Sequence, residues 1–236
     1  MELLLITVIA FVSTYVQTVS GFGIALVAMP LLTSLLGLGA ASPLVALLAF
    51  AGRVVILARY RGVFDLRAVL PLVIASLIGI QIGSRLLFFV PERALEMTLG
   101  VLLCVYVLYA WQERPLPEMR HTSWAFGAGF VSGVLAGAYN VGGPPVVIYA
   151  NSRRWPRDVF RSNLQGFAMF NSVAVLATHW TNGHLTPALW ELFLLALPAA
   201  GLALWLGFRS DDWLHQERFR RIVLLVLFFS GVQLFF

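Results

Sequence analysis

The sequence predicts an all-α integral membrane protein made of two four-segment repeats, in which glycines interrupt the first segment of each repeat. Composition is the first observation, because 60% of the 236 residues are apolar and only 11% are charged. Soluble domains carry roughly 25% charged residues. The mean hydropathy of +0.87 agrees with a chain that is surrounded by lipid. The other two observations are a series of long apolar segments and a pair of glycine-rich interruptions at matched positions.

Eight apolar segments can be delimited along the chain. They cover approximately residues 2–36, 41–58, 68–90, 94–111, 122–150, 159–180, 186–207 and 219–236. Six of them contain 18 to 23 residues, which is close to the roughly 20 residues that cross a bilayer as a helix. We therefore expect each of these six to form one membrane-spanning helix.

The first and fifth segments are too long for a single crossing, since they would measure roughly 50 and 43 Å as straight helices. Each contains a glycine-rich interruption. The two interruptions are Ser20-Gly21-Phe22-Gly23 and Asn140-Val141-Gly142-Gly143-Pro144-Pro145. Glycine and proline inside a membrane segment favour a helix break. We expect two half-helices around a non-helical turn in each segment.

The second half of the chain repeats the plan of the first half. At a spacing of 121 positions, Gly21 matches Gly142, Ser42 matches Asn163 and Gly62 matches Gly183. We predict a first transmembrane repeat over 1–111, a polar linker over 112–121 and a second repeat over 122–236. Weak internal symmetry of this kind is typical of secondary transporters.

The distribution of arginine favours inverted repeats. If the two broken segments enter and return, only Arg85 and Arg93 lie on one face of the membrane, and all other arginines lie on the opposite face. If each broken segment crosses once, the arginines divide more evenly. The positive-inside rule favours the first arrangement. It leaves an odd number of crossings in each repeat and places both termini on the non-cytoplasmic side.

Several classes of function are excluded by residue types that the chain lacks. All 16 basic residues are arginine, so there is no Walker A lysine and no Schiff-base lysine. The arginines lie in short loops between apolar segments, which argues against nucleic-acid binding. A single cysteine, Cys104, excludes an intrachain disulfide and a cysteine-rich metal site. We expect no cofactor and no metal.

The beginning of the sequence predicts a multi-pass protein of the plasma (inner) membrane. Met1-Glu2 is not followed by a basic region, and the apolar run continues far beyond a normal cleavage site. We therefore expect no cleaved signal peptide. The lipid bilayer is the expected partner. The oligomeric state, the direction of transport and the coupling ion stay open.

The two glycine-rich breaks are the strongest candidates for a substrate site. The second half-helix of a broken segment begins with unpaired N–H groups at the positive end of its dipole, and such groups bind anions. The candidate backbone positions are Gly21, Phe22, Gly23, Gly142, Gly143 and Pro144. The alternative is close helix packing, which is our interpretation of Gly129, Gly133 and Gly137 and of Gly79 with Gly83.

Six polar side chains complete the list of candidates. They are Gln17, Ser20, Arg53, Asn140, Asn163 and Asn171. Arg53 is the deepest basic residue, and it could either offset the charge of an anion or extend to the membrane surface. Asn163 and Asn171 share a helix face and could bind substrate or join two helices. His179, at the end of its segment, is expected at the interface.

Two other classes of function were weighed against transport. An intramembrane serine hydrolase needs a nucleophile in a Gly-x-Ser setting with an orienting histidine, and the spacing in Gly129-Phe-Val-Ser132-Gly133 does not fit. A membrane scaffold would not need matched glycine breaks. We therefore expect a transporter and not an enzyme.

The residues around both breaks resemble the TauE/SafE family of sulfite exporter-like permeases. The similar stretches are Val19-Ser-Gly-Phe-Gly-Ile-Ala-Leu-Val-Ala-Met-Pro30 and Gly133-Val-Leu-Ala-Gly-Ala-Tyr-Asn-Val-Gly-Gly-Pro-Pro-Val-Val-Ile-Tyr149. The resemblance implies transport of a small sulfur-containing anion such as sulfite, a sulfonate or thiosulfate. With the residue-level argument, it leads us to expect alternating access. A transporter of another small organic anion, such as a carboxylate, is the alternative.

Overall fold

All regular secondary structure in the described part of the chain is α-helical. The computed structural model describes residues 2–21, 23–59, 64–112, 117–210 and 216–235, and only the backbone at 59, 88, 157 and 216–220. Within these ranges there are ten α-helices and no strand. The helices are α1 (Glu2–Ser20), α2 (Ile24–Leu36), α3 (Leu38–Arg59), α4 (Leu66–Phe89), α5 (Glu92–Gln112), α6 (Thr122–Tyr139), α7 (Gly143–Ser152), α8 (Arg157–Thr181), α9 (Pro187–Ser210) and α10 (Gln216–Gln233).

The first and fifth apolar segments each contain two helices. Between α1 and α2, Gly21 and Gly23 have φ angles of 81° and 112°, a region that residues with a Cβ rarely adopt. Between α6 and α7, Asn140 has a φ of 57°, and asparagine is one of the few other residues that tolerate this conformation. Pro144 lies in the first turn of α7, where its fixed φ suits a helix start.

Five of the helices in the described ranges are long and apolar enough to cross a membrane. They are Glu2–Ser20, Leu38–Ala58, Leu66–Leu87, Glu92–Gln112 and Pro187–Ser210. Ile24–Leu36 and Arg221–Gln233 are shorter apolar helices. The sequence predicted further spans over 159–180 and 219–236, which correspond to α8 and α10, and neither is among these five. α8 has sufficient length but carries several buried polar side chains, among them Gln165, Asn171 and His179. These side chains lower the mean hydropathy of α8. The protein can accommodate them because α8 packs against α3 and α4.

The closest helix contact joins α4 to α6 through glycines on both helices. A Cβ at Gly133 would overlap the backbone of Ser76, and a Cβ at Gly79 would overlap the backbone of Phe130. Gly129 and Gly137 meet Leu72 and Ile80 in the same way, one turn earlier and later. Small residues let two membrane helices approach to backbone contact, where van der Waals packing is strongest.

Two pairs of helices run antiparallel. On α3 and α8, Arg53 is hydrogen-bonded to Ser172, whereas Ser42, further toward the start of α3, contacts His179, further toward the end of α8. On α5 and α10, Gly100 approaches Gly231, while Arg93 donates to the carbonyl oxygens of Leu234 and Phe235. In both pairs, positions that ascend on one helix descend on the other.

Several loops meet at one end of the helices. The Arg153 guanidinium, after α7, donates to the carbonyl oxygen of Arg120 at 3.1 Å. The backbone N–H of Asp65, before α4, donates to Oδ1 of Asn163 at 2.8 Å. Asp65 also caps α4 by accepting from the N–H groups of Arg67 and Ala68. The loops before α4, before α6 and before α8 therefore share one end of the molecule.

Candidate functional site

The two helix breaks face one cavity between α3 and α8. Its volume is about 50 Å³, whereas one buried water needs roughly 10–15 Å³. The cavity therefore has room for a few waters or for one small ion. It is lined by Gln17, Gly21, Gly23, Ala25, Leu26, Arg53, Ala136, Asn140, Val141, Gly142, Gly143, Leu164, Phe167, Ala168, Asn171, Ser172 and Val175.

The first break is held by the Gln165 side chain and by the end of α1. The N–H of Gly21 donates to the carbonyl oxygen of Gln17 at 2.8 Å. The side-chain amide of Gln165, on α8, donates to the carbonyl oxygen of Gly21. Gln17 is only 1% exposed, and its Oε1 has no hydrogen-bond partner among the described residues. An unsatisfied amide oxygen beside a cavity can accept a hydrogen bond from a water or from a donor group of a ligand.

The start of α2 presents backbone donors to this cavity. Gly23 caps the helix without a side-chain hydrogen bond, and the N–H of Val27 makes a backbone bond of 3.1 Å to Gly23. The N–H groups of the three residues in between have no intrahelical acceptor. Ala25 and Leu26, two of these three, line the cavity. The positive end of the α2 dipole therefore lies at the cavity wall.

The second break is anchored to α3. The Asn140 Nδ2 donates to the carbonyl oxygen of Ser42 at 2.8 Å and to its Oγ at 2.9 Å. The Ser132 hydroxyl donates to the carbonyl oxygen of Gly142. Proline has no N–H, so Gly143 is the only donor among the first three residues of α7. The second break therefore offers fewer backbone donors than the first.

Arg53 brings a positive charge to the cavity wall. Its guanidinium donates to the Ser172 hydroxyl and is partly buried. No carboxylate in the described ranges forms an ion pair with it, since the ion pairs there join Arg93 to Glu96 and Arg120 to Glu118. A buried charge without a counter-ion is costly. An anion in the cavity would lower that cost.

Further polar and apolar walls come from α8. The Oδ1 of Asn171 accepts from the Ser76 hydroxyl at 2.9 Å, which leaves the donor end of this amide for the cavity. Phe167 and Leu164 supply an apolar surface beside it. The site thus combines one cation, several N–H donors and an apolar wall.

Most of the residues predicted for the site line this cavity. They are Gln17, Gly21, Gly23, Arg53, Asn140, Gly142, Gly143 and Asn171. Three others lie elsewhere. The Ser20 hydroxyl donates to the Val16 carbonyl within α1 at 2.6 Å, and Asn163 binds the loop before α4. Pro144 is buried and is not among the lining residues. Phe22 lies outside the described residues.

Four polar residues that hold the site were not among the predicted site residues. They are Ser42, Ser132, Gln165 and Ser172. A glutamine in an apolar helix is unusual enough to be noticed, so Gln165 could have been selected from the sequence. The serines carry no such signal, because serine is common where membrane helices pack.

Outside the membrane-spanning segments, the linker contains a local ion pair. The Arg120 guanidinium donates to the Glu118 carboxylate at 2.8 Å. This hydrogen bond lowers the pKa of the Glu118 carboxyl and raises the pKa of Arg120. Both side chains are solvent-accessible and lie away from the cavity lining.

The chain matches known transporters over nearly its whole length. Residues 5–234 match the family model described as sulfite exporter TauE/SafE. A similar curated protein is the probable sulfite/organosulfonate exporter TauE of Cupriavidus necator, which is 28% identical over 230 residues, or 94% of this chain and 89% of that protein. No solved structure is significantly similar. The chain therefore belongs to the TauE/SafE family, whose members are membrane transporters and not enzymes.

Proposed function

We propose that this protein is a secondary transporter that moves a small sulfur-containing anion, such as sulfite, a sulfonate or thiosulfate, across the plasma (inner) membrane by alternating access. The observation that carries the proposal is the position of Arg53 at the wall of a cavity that also receives the start of α2. A guanidinium and free backbone N–H groups are the groups that hold oxyanions in proteins.

The charge of the cavity supports an anionic cargo. Among the described residues of the lining, Arg53 is the one with an ionisable side chain, and no carboxylate in the described ranges forms an ion pair with it. The dipole of α2 adds partial positive charge at the same wall. A cation would meet repulsion from both sources, so cation transport is disfavoured.

The dimensions of the cavity support a small cargo. A volume of about 50 Å³ holds a few waters and accommodates an ion the size of sulfite. The apolar wall formed by Phe167, Leu164 and Leu26 suits the short organic group of a sulfonate. The printed name of the relative, a sulfite/organosulfonate exporter, agrees with this class of anion.

Helix directions support inverted repeats as the basis of alternating access. If 1–111 and 122–236 are equivalent, then α3 corresponds to α8 and α5 to α10. Both pairs run antiparallel, as expected for a twofold axis perpendicular to the helices. The contact of α4 with α6 is matched by the contact of α9 with α1, which are equivalent pairs under the same axis.

The arginines support an orientation with both termini on the non-cytoplasmic side. Arg120 and Arg153, in the loops before α6 and α8, share one end of the molecule with Arg67, in the first turn of α4. Arg93 binds the last turn of α10 at the opposite end. The positive-inside rule assigns the arginine-rich end to the cytoplasm.

Uptake into proteoliposomes tests the proposal. The purified protein is reconstituted and given labelled sulfite, ethanesulfonate, thiosulfate, acetate and sodium in separate assays. We expect saturable flux of at least one sulfur oxyanion, above that of empty liposomes. Saturable flux of acetate or sodium without flux of any sulfur oxyanion would overturn the proposed substrate class.

A further inference from the structure

A buried chain of polar side chains leads from the loop after α8 to the cavity. The Nδ1 atoms of His184 and His179 are 3.0 Å apart. The Nε2 of His179 lies 3.3 Å from the Ser42 Oγ, and this Oγ accepts from the Asn140 Nδ2 at 2.9 Å. Asn140 is the left-handed residue of the second break and lines the cavity.

The contact between the two histidines requires one proton between their Nδ1 atoms. One ring must donate its Nδ1–H and the other must accept. If His179 donates, its neutral ring accepts the Ser42 hydroxyl hydrogen at Nε2. If His179 accepts, its Nε2–H donates to Ser42 instead. In the neutral pair, the direction of the bond to Ser42 therefore depends on which Nδ1 atom carries the shared proton.

Access to the pair differs between its two members. His179 is only 2% exposed, and within the described residues its polar contacts are Ser42 and His184. His184 is half-buried in the loop between α8 and α9, at the end of α8 opposite to Asp65 and Asn163. Among the described residues, His184 is the side chain that joins His179 to that side.

No carboxylate faces His179 from the helices that pack against α8. These helices are α3, α4, α6 and α7. The charged residues of α3 and α4 are Arg53, Arg59, Arg67 and Arg85, while α6 and α7 contain no charged residue. On α8 itself, Asp158 and Arg161 lie at the far end, and Glu191 lies on α9 in an exposed position. The ionisable side chain in contact with His179 is therefore that of His184.

We propose that His179 and His184 form a proton-binding site that couples proton movement to anion transport. Imidazole can both bind and release a proton, and either ring nitrogen can donate or accept a hydrogen bond, which suits a reversible proton site. In the neutral pair in which His179 donates its Nδ1–H, the Nε2 of His179 accepts from Ser42. One added proton leaves a hydrogen on the Nε2 of each ring and one proton shared between the Nδ1 atoms, so His179 then donates to Ser42 and the bond reverses. Because Ser42 holds Asn140 by both its Oγ and its carbonyl oxygen, this change reaches the second break.

The inference rests on the proposed anion transport and adds a coupling ion to it. Proton coupling through the membrane usually depends on an ionisable residue in the interior. Apart from Arg53, the lining residues that the structure describes include no ionisable side chain. The histidine pair contacts the lining through Ser42 and Asn140, so it can respond to the cargo without contacting it.

Steady-state accumulation in proteoliposomes tests the coupling. The membrane potential is clamped at zero with valinomycin and equal potassium, and a gradient of about one pH unit is imposed. Ethanesulfonate and thiosulfate are the probes because both stay ionised near neutral pH. One proton per anion changes the steady-state ratio of internal to external anion about tenfold per pH unit, and the sign distinguishes symport from antiport. An internal pH dye should report matching proton flux.

His179→Gln and His184→Gln keep a polar side chain but remove the titratable ring. We expect both variants to exchange anion across the membrane without a gradient and to lose the response to the gradient. His121→Gln, at the cap of α6 and outside the chain of side chains, should respond like the natural protein. Sulfite itself gains and loses a proton near neutral pH. For sulfite, coupling is therefore measured as the difference in steady-state accumulation between His179→Gln and the natural protein.

The outcomes separate this inference from the proposed function. Anion flux that does not respond to the gradient in the natural protein overturns the proton site and leaves anion transport intact. A response to the gradient that persists in both histidine variants also overturns the proton site and leaves anion transport intact. If none of the three sulfur anions is transported, the proposed function fails and the inference fails with it.

Discussion

The side-chain amide of Gln165 donates a hydrogen bond to the backbone carbonyl oxygen of Gly21. A helix of the second half of the chain thereby holds the break in the first half. The converse link is also present, since Asn140 at the second break donates to Ser42 on α3. Each break therefore depends on a helix from the other half, which ties the geometry of the cavity to the packing of α3 against α8.

Replacing Gln165 with leucine should disturb the first break. The substitution keeps a similar volume but leaves the Gly21 carbonyl oxygen without its donor, and an unsatisfied buried carbonyl costs about 1–3 kcal/mol. We expect the apparent KM of the transported anion to rise several-fold and the thermal stability in detergent to fall. The matched control is Gln81→Leu, on an exposed face of α4, which should change neither quantity. Equal behaviour of the two variants would contradict the role of Gln165.

Removal of the Arg53 charge should weaken anion binding. Hydrogen bonds to charged groups contribute about 1.5–3 kcal/mol, so Arg53→Gln should raise the apparent KM about 10- to 100-fold. Arg85→Gln is the control, because Arg85 is exposed at the far end of α4. The apparent KM of each variant is measured from the dependence of the uptake rate on anion concentration. An unchanged KM in Arg53→Gln would exclude Arg53 from the anion site.

Gly133→Ala should separate α4 from α6. The added Cβ would overlap the Ser76 backbone, and overpacking of this kind costs about 1–3 kcal/mol. A Cβ at Gly127, on the same helix, meets no atom within 4 Å. Gly127→Ala should therefore be neutral or slightly stabilising, since alanine favours helix by about 1 kcal/mol. Thermal unfolding in detergent distinguishes the two variants, and equal melting temperatures would refute the close contact.

Single-cysteine labelling should find one arginine-rich face. Cys104 is the sole cysteine, so Cys104→Ala provides a cysteine-free background. Cysteines introduced at the exposed positions Leu66 and Arg154 should react from the cytoplasmic side, and one at Asn182 from the opposite side. Labelling of Leu66→Cys and Arg154→Cys from opposite sides would contradict the inverted arrangement.

The sequence by itself determined the helical membrane architecture and the family. Apolar runs of about 20 residues have one stable form in lipid, because every backbone N–H must be bonded within its own segment. The family resemblance was carried by the residues around Gly21 and Gly142, and the match over residues 5–234 confirms it. Gln17, Arg53, Asn140 and Asn171 could be selected as candidates because polar groups are costly in apolar segments.

Only the tertiary structure decided which of these polar groups meet. Asn163 and Asn171 share a helix face, yet Asn163 binds the loop before α4 and Asn171 lines the cavity. His179 was expected at the interface but is buried against Ser42. Helical periodicity gives the direction of a side chain on its own helix and does not give its neighbour, because the partner comes from a helix about 100 residues away in sequence. The packing of the two halves of the chain against each other determines which polar side chains are in contact.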